Sequence, residues 1–238
     1  VMLGAYSVYV VQLAGQHFLW AIPVAIVICV MVGWLMEWLV VRHLYSRPFD
    51  TLLATWGVAI LIRKGVEVIF TRDYKSVNQV MPGTIDLLGA SYPAYRLLLV
   101  ALIIVLFVAL FTWYQKSKAG LKIRAMVQGP ELAAAVGIDT ARLSRVTFII
   151  GVSTAGLAGV LLAPLVRVEP YIGLDNLMSS FFIIIVGGLG TLEGLLIGST
   201  VIGGTDAIVS TVFDKTAGYM SVLLISILFL SACNQFDQ

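Results

Sequence analysis

Apolar residues in this chain do not alternate with polar ones. They come in runs separated by short polar passages. A helix that crosses a bilayer needs about 20 mostly apolar residues at 1.5 Å of rise each, and several runs meet that demand. Residues 97–114 contain no charged side chain. Residues 18–41 form a second full span, with Trp20, Trp34 and Trp38 near its ends, where indole rings anchor at the membrane interface. Residues 146–166 and 195–212 make two more. Residues 51–70 are less regular, because Arg63, Lys64 and Glu67 fall in the second half. Arg63 and Glu67 are four apart on one helix face and can pair, so this span is expected to emerge early on its outer side; the alternative is a charged gate inside a pathway. Residues 2–14, 177–186 and 219–230 are shorter apolar runs. The first reads as the second half of a helix that begins upstream of Val1.

The expected fold class is therefore all-α: a polytopic transmembrane helical bundle of about eight spans, forming a single transmembrane domain over residues 1–238. Composition agrees. Hydrophobic residues make up 60% of the chain and charged residues 12%, where soluble domains carry about 25% charged residues. A soluble fold is excluded. The net charge of +2 gives no reason to expect a nucleic-acid partner. Cys29 and Cys233 lie far apart in or beside apolar runs and read as reduced packing residues, and His17 and His43 make no metal-ligand cluster. No cofactor or metal is expected. No basic stretch precedes the first apolar run, so no cleavable signal peptide is visible.

Charge placement gives an orientation. Residues 115–145 carry Lys116, Lys118, Lys122, Arg124, Arg142 and Arg145 against Glu131 and Asp139. Basic residues beside a span are retained on the cytoplasmic side during insertion, which puts this loop inside the cell. Arg42, His43 and Arg47 mark the same side. Residues 72–96 carry mixed charge, with Pro82-Gly83 and Tyr92-Pro93 as turn signals, and are placed outside. Residues 167–176, with Glu169 and Asp175, and the pair Asp214-Lys215 are read as outer turns. Within the basic loop, Gly129 to Ile138 predicts a short helix: Pro130 suits its first position, Glu131 favours the positive end of its dipole, and Gly137 can end it. The plain alternative is a solvated linker between two spans.

Small residues at four-residue spacing let helices approach closely, and Ala155, Gly159 and Ala163 show it, as do Gly194 with Gly198 and Ser199 with Gly203. The glycine-rich residues 187–194 lack the Lys-Ser or Lys-Thr of a phosphate-binding loop and follow no strand, so a tight turn or broken helix is expected there. Gly151-Val152-Ser153 lacks the surroundings of a nucleophile elbow, and neither histidine stands near a candidate nucleophile. The chain is not read as an enzyme. Polar residues at membrane depth are Glu37, Thr55, Ser153, Thr154, Thr205 and Asp206. An ionisable group there is a functional candidate by default, although a Ser or Thr in a span often bonds its own backbone. Asp206 is the acid set well inside its run, and Thr55, Ser153, Thr154 and Asp206 are the candidate pathway residues.

Several stretches carry a resemblance. Glu131, Ala133 and Gly137 stand at the spacing of the Glu-Ala-Ala…Gly motif by which permease subunits of ABC importers dock into their ATPase partners, with Leu132 in place of the first alanine. Met2-Leu3-Gly4-Ala5-Tyr6, Ala54-Thr55-Trp56-Gly57, Gly120-Leu121-Lys122-Ile123-Arg124-Ala125, Ala135-Val136-Gly137-Ile138, Ala155-Gly156-Leu157-Ala158-Gly159-Val160 and Gly187-Gly188-Leu189-Gly190-Thr191-Leu192-Glu193-Gly194 look like successive signatures of the branched-chain amino acid and urea permease family. Ala54-Thr55-Trp56-Gly57 and Tyr92-Pro93-Ala94-Tyr95-Arg96-Leu97 are more similar to its urea-type branch. The family's usual basic tail is missing from residues 231–238, and its chains begin with more helix.

The resemblance implies a bacterial inner-membrane permease subunit of an ATP-driven importer for branched-chain amino acids, or for urea and short amides. Its implied partners are ABC ATPase subunits, a second permease subunit, an extracytoplasmic substrate-binding protein and membrane lipid. It also implies an ATPase-coupling set made of Arg124, Pro130, Glu131, Ala133, Ala134, Gly137 and Ile138. The rival reading is a passive channel or ion-coupled carrier for a small polar solute; a carrier more often pairs ionisable groups near the midplane, and a channel needs no large basic inner loop.

Overall fold

The computed structural model describes residues 1–44, 48–71, 73–75, 77, 83–87, 90–188 and 192–236. Arg47, Arg72, Pro82 and Gly190, used above for topology and turns, lie outside them. In chain order the helices are α1 (Met2–Leu13), α2 (Ala21–Met36), α3 (Arg42–Leu44), α4 (Pro48–Phe70), α5 (Ala94–Lys116), α6 (Lys118–Gln128), α7 (Pro130–Ala135), α8 (Thr140–Leu162), α9 (Ile172–Gly187), α10 (Leu192–Val212) and α11 (Lys215–Phe236). A 3-10 turn, Phe18–Trp20, leads into α2, and a π-helical turn, Glu37–Val41, joins α2 to α3. Among the described residues four helical stretches are long and apolar enough to cross a membrane: Phe18–Val41, Ala94–Lys116, Thr140–Leu162 and Leu192–Val212. The fold is the all-α polytopic bundle that the apolar runs predict.

Element ends differ from the sequence pattern for local reasons. Helix α9 starts at Ile172, so the polar turn before it is shorter than the mixed composition of residues 167–176 implies. Tyr92-Pro93, read as a turn signal, instead lies in strand β2 (Ala90–Pro93), which pairs antiparallel with β1 (Thr84–Leu87) in the register Ile85↔Tyr92. Proline is tolerated at the end of an edge strand because it need donate no ladder bond there. Its fixed φ then starts α5, with Ala94 N–H donating to the Gly83 carbonyl at 2.9 Å. Helix α6 follows directly from a stretch whose polar residues gave no helix prediction. Its apolar positions are spaced for one face only.

The chain groups into two compact units, Val1–Ile172 and Gly173–Gln238. In the first, α1, α2 and α8 meet through glycines. A Cβ on Gly4 would run into the Gly156 carbonyl, one on Gly156 into Cys29 Sγ, and one on Gly159 into the Val1 carbonyl. Backbone-to-backbone contact of this kind replaces the hydrophobic drive that is absent between helices in lipid. The small-residue stripe of α8 is thus Gly156, Gly159 and Ala163. Ala155 faces outward, one residue round the helix from the expected register. Around this contact lies a core of Ala5, Tyr6, Val8, Val11, Ala21, Ala25, Val66, Val160, Ala163 and Val168. Tyr95 fastens α5 to the end of α8 by donating its hydroxyl to the Leu161 carbonyl at 2.8 Å. Lys75 and Val168 exchange two main-chain hydrogen bonds, at 3.0 and 2.9 Å.

In the second unit Val186, Ile202 and Val222, one from each of α9, α10 and α11, form the core with Phe182, Ile183 and Ile225. Gly187 lies against the Gly194 backbone, and Gly198 against the Ile183 carbonyl and Gly187. Gly188 has a φ of +81°, a conformation that favours glycine. The expected tight, glycine-built approach is present on both sides of residues 189–191. Ser199 with Gly203 plays no such part, since Gly203 faces open space. In both units the large apolar side chains point outward, Trp20, Trp34, Trp38, Val105 and Leu228 among them, as helices surrounded by lipid require.

Candidate functional site

The basic segment folds as two short helices held at every end. Ser117 caps α6, its hydroxyl accepting from Ala119 N–H at 3.0 Å and Gly120 N–H at 3.4 Å. Gly120 packs on the Tyr114 carbonyl, where a Cβ would collide, and this holds the start of α6 against the end of α5. Arg124 ties the same junction: Nη1 donates to Gln115 Oε1 at 3.2 Å, Nη2 donates to the Gln115 carbonyl at 3.1 Å, and the guanidinium lies 5.5 Å from the Tyr114 ring centre. A cation at the carbonyl end of α5 also opposes that helix's dipole.

Extended backbone at Gly129 then turns the chain into α7, with Pro130 at its first position. The helix ends in a Schellman motif: Gly137 N–H donates to the Ala134 carbonyl at 2.9 Å, and Ile138 N–H to the Ala133 carbonyl at 3.0 Å. Gly137 supplies the positive φ, +86°, that this motif needs. Asp139 caps α8, accepting from Arg142 N–H at 2.9 Å. Ile123 and Ala133 face inward, while Glu131, Ala134, Leu132 and Val136 are exposed, the last two at 76% and 82%. The segment is a short, rigid projection with apolar side chains on its outside.

Sequence reasoning did not find what anchors this projection. Glu37, in the π-helical turn and 1% exposed, accepts from Arg145 Nε at 2.8 Å. The turn below the projection is thereby tied to the helix that leaves it. Ser144 adds a hydroxyl contact to Met126 Sδ at 3.3 Å, between α8 and α6.

Of the candidate pathway residues, Thr55, Ser153 and Thr154 belong to the first unit and Asp206 to the second. Ser153 and Thr154 donate to their own helix, to the Ile149 and Gly151 carbonyls at 2.7 and 2.9 Å, and Thr205 donates to Val201 at 2.6 Å. Thr55 lies half-buried on α4. Asp206 belongs to the second unit, where it packs against Gly218 of α11 and its Oδ1 is buried without a hydrogen-bond partner. On α4, Lys64 Nζ donates to Glu67 Oε2 at 2.7 Å, and Arg63 Nε stands 3.9 Å from Glu67 Oε1. The expected pairing across one helix face is present, with Lys64 as the nearer cation. Among the described residues no group of His, Cys, Asp and Glu could hold a metal ion.

Apolar helices packed through glycine and exposing their large side chains outward define a polytopic membrane protein. Residues 1–232 match the family model described as the branched-chain amino acid transport system permease component, and the chain belongs to that family. It is similar to the high-affinity branched-chain amino acid transport system permease protein LivH of Salmonella typhimurium strain LT2, 26% identical over 247 residues, covering 96% of this chain and 79% of the relative. It is also similar to LivH of Escherichia coli K12, 28% identical over 215 residues, covering 87% of this chain and 68% of the relative. BraD of Pseudomonas aeruginosa, another high-affinity branched-chain amino acid transport system permease protein, is 23% identical over 236 residues, 96% of this chain and 74% of the relative. No solved structure gives a significant match.

Proposed function

We propose that this chain is the permease subunit of an ATP-driven importer of branched-chain amino acids in a bacterial inner membrane, acting over residues 1–238 as one permease domain. The observation that carries this reading is α7 with its surroundings. Leu132 and Val136 are exposed on a projection whose backbone is fixed by a proline start, a Schellman end and the clamp of Arg124. Apolar side chains held rigidly outside the apolar helices call for a covering partner. In this reading ATPase subunits cover them and grip Glu131, Ala134 and the helix end at Gly137 and Ile138. Pro130 and Ala133 hold the helix in shape, and Arg124 passes its movement to α5.

The substrate class follows the names of the relatives; urea and short amides are the second choice, carried by Ala54-Thr55-Trp56-Gly57 and the residues after Tyr92. A second permease subunit completes the path, and a substrate-binding protein delivers the solute to the side opposite α7. Polar residues are proposed to line the path in each unit: Thr55, Ser153 and Thr154 in the first, Asp206 in the second. Closure of the ATPases tilts helices as rigid bodies and alternates access. The test is uptake by the assembled system in proteoliposomes with ion gradients clamped. Uptake that stops when ATP is withdrawn supports the importer; uptake that continues fits the channel or carrier instead.

A further inference from the structure

Helix α4 carries three charges in its second half, and their surroundings are built rather than merely tolerated. Arg63, Val66, Glu67 and Phe70 share one face at helical spacing. That face meets α1. Val66 shares a core with Tyr6, and the Phe70 ring lies 5.1 Å from the Tyr6 ring and 6.3 Å from the Tyr9 ring. Two further segments close over it. Tyr171 stacks on the Arg63 guanidinium at 4.9 Å, and Lys75, bonded through its backbone to Val168, holds its ammonium 5.9 Å from the Tyr9 ring centre. Glu67 and Glu169 are both within electrostatic reach of the Tyr6 hydroxyl.

Two donors in this cluster are unfilled. Tyr6 is 3% exposed, and its hydroxyl has no hydrogen-bond partner; neither has the buried Nε of Arg63. At 3.9 Å the Arg63 to Glu67 contact is too long for a hydrogen bond. An unpaired buried hydroxyl carries a desolvation cost that a folded protein normally avoids. Two open donors suit a carboxylate. The Glu67 carboxylate beside them, which already holds the Lys64 ammonium at 2.7 Å through Oε2, suits an ammonium group. Aromatic walls from Tyr6, Phe70 and Tyr171 supply an apolar surround in which both interactions gain strength.

We propose that Tyr6, Arg63 and Glu67 form a binding site for a zwitterionic α-amino acid, with the Tyr6 hydroxyl and Arg63 Nε donating to its carboxylate and Glu67 accepting from its ammonium. The substrate class rests on the importer reading above; the site itself rests on the unfilled donors. A neutral solute offers no full charge to either partner, so the site discriminates by charge on both ends.

The deciding variant is Tyr6→Phe, which removes one hydroxyl and keeps the ring against Phe70. It is measured in the assembled importer in nanodiscs and proteoliposomes, together with Glu67→Gln, using labelled leucine. The expected result has three parts. Thermal stability of Tyr6→Phe equals or exceeds that of the unaltered protein, because an unpaired buried hydroxyl has gone. Leucine bound by the permease–ATPase complex without its binding protein weakens about tenfold in each variant. Excess leucinamide or 4-methylpentanoate, each lacking one charge, competes poorly with leucine. The proposal is overturned if Tyr6→Phe lowers stability and leaves binding unchanged, if both variants bind leucine as the unaltered protein does, or if the unaltered complex binds none. Loss of ATP-driven uptake in the unaltered system would sink the importer reading as well; intact uptake with insensitive variants sinks the site alone.

Discussion

Arg145 Nε stands 2.8 Å from Glu37 Oε2, joining two residues 108 positions apart across the base of the polar projection. The carboxylate is almost fully enclosed while the arginine is one-third open, so the two partners are unequal. Removing the arginine takes a partner from a buried charge; removing the acid lets the arginine turn to solvent.

Arg145→Ala is therefore expected to destabilise the protein by about 3 kcal/mol, as loss of one partner of a buried pair does. Glu37→Gln, which keeps a hydrogen-bond acceptor without the charge, costs less. Thermal unfolding in detergent of both variants and of the double variant checks this. An Arg145→Ala protein as stable as the unaltered one would mean that the pair holds nothing.

The end of α7 depends on one backbone conformation. Gly137→Ala places a Cβ at a φ of +86° and is expected to cost about 1–2 kcal/mol, fraying α7 from its last turn. Hydrogen exchange at Ile138 N–H, which is bonded to the Ala133 carbonyl, reads this directly and should quicken. Unchanged protection there would show that the turn adapts.

Glu131→Ala leaves every contact described for α7 intact, because its side chain is exposed and outside the cap. Membrane insertion and unfolding temperature should stay as they are. ATP-driven uptake should fall about tenfold, the loss typical of one residue at the centre of a docking surface. Full uptake in this variant would remove α7 from the proposed mechanism.

Two glycines of one helix should respond in opposite ways. Gly156 of α8 sits between Cys29 Sγ and the Gly4 backbone, so Gly156→Leu cannot be accommodated without parting α1, α2 and α8. Gly151, five residues earlier, has nothing near the position of a Cβ. Gly151→Ala should be neutral or stabilising by up to about 1 kcal/mol through helix propensity. Equal behaviour of the two variants in thermal unfolding would contradict the packing.

The apolar runs made the bundle legible, because lipid leaves a spanning segment little choice of side chain. The glycine and proline that bound α7 were legible too, since caps are written in neighbouring residues. Residue 155 against 156 was not: a small-residue spacing gives the period of a stripe but not which of two adjacent positions faces the neighbour. Helix α6 was hidden because cations every few residues obscured its narrow inward face at Gly120 and Ile123. Arg124, which the resemblance puts in the ATPase-coupling set, is also engaged inside the chain with Tyr114 and Gln115, and no local pattern announces such a clamp. The Glu37 pairing was likewise invisible, because nothing local to either residue names the other.

The double link between Lys75 and Val168 uses amide and carbonyl groups alone. A tie of that kind is blind to the side chains around it. At Lys75 any replacement except proline, which has no amide hydrogen to give, keeps the groups that make it, whereas Val168 is also fixed by its place in the core. Sequence drift can thus rewrite the surface on this side of the molecule while the distance between the two strands of chain stays fixed.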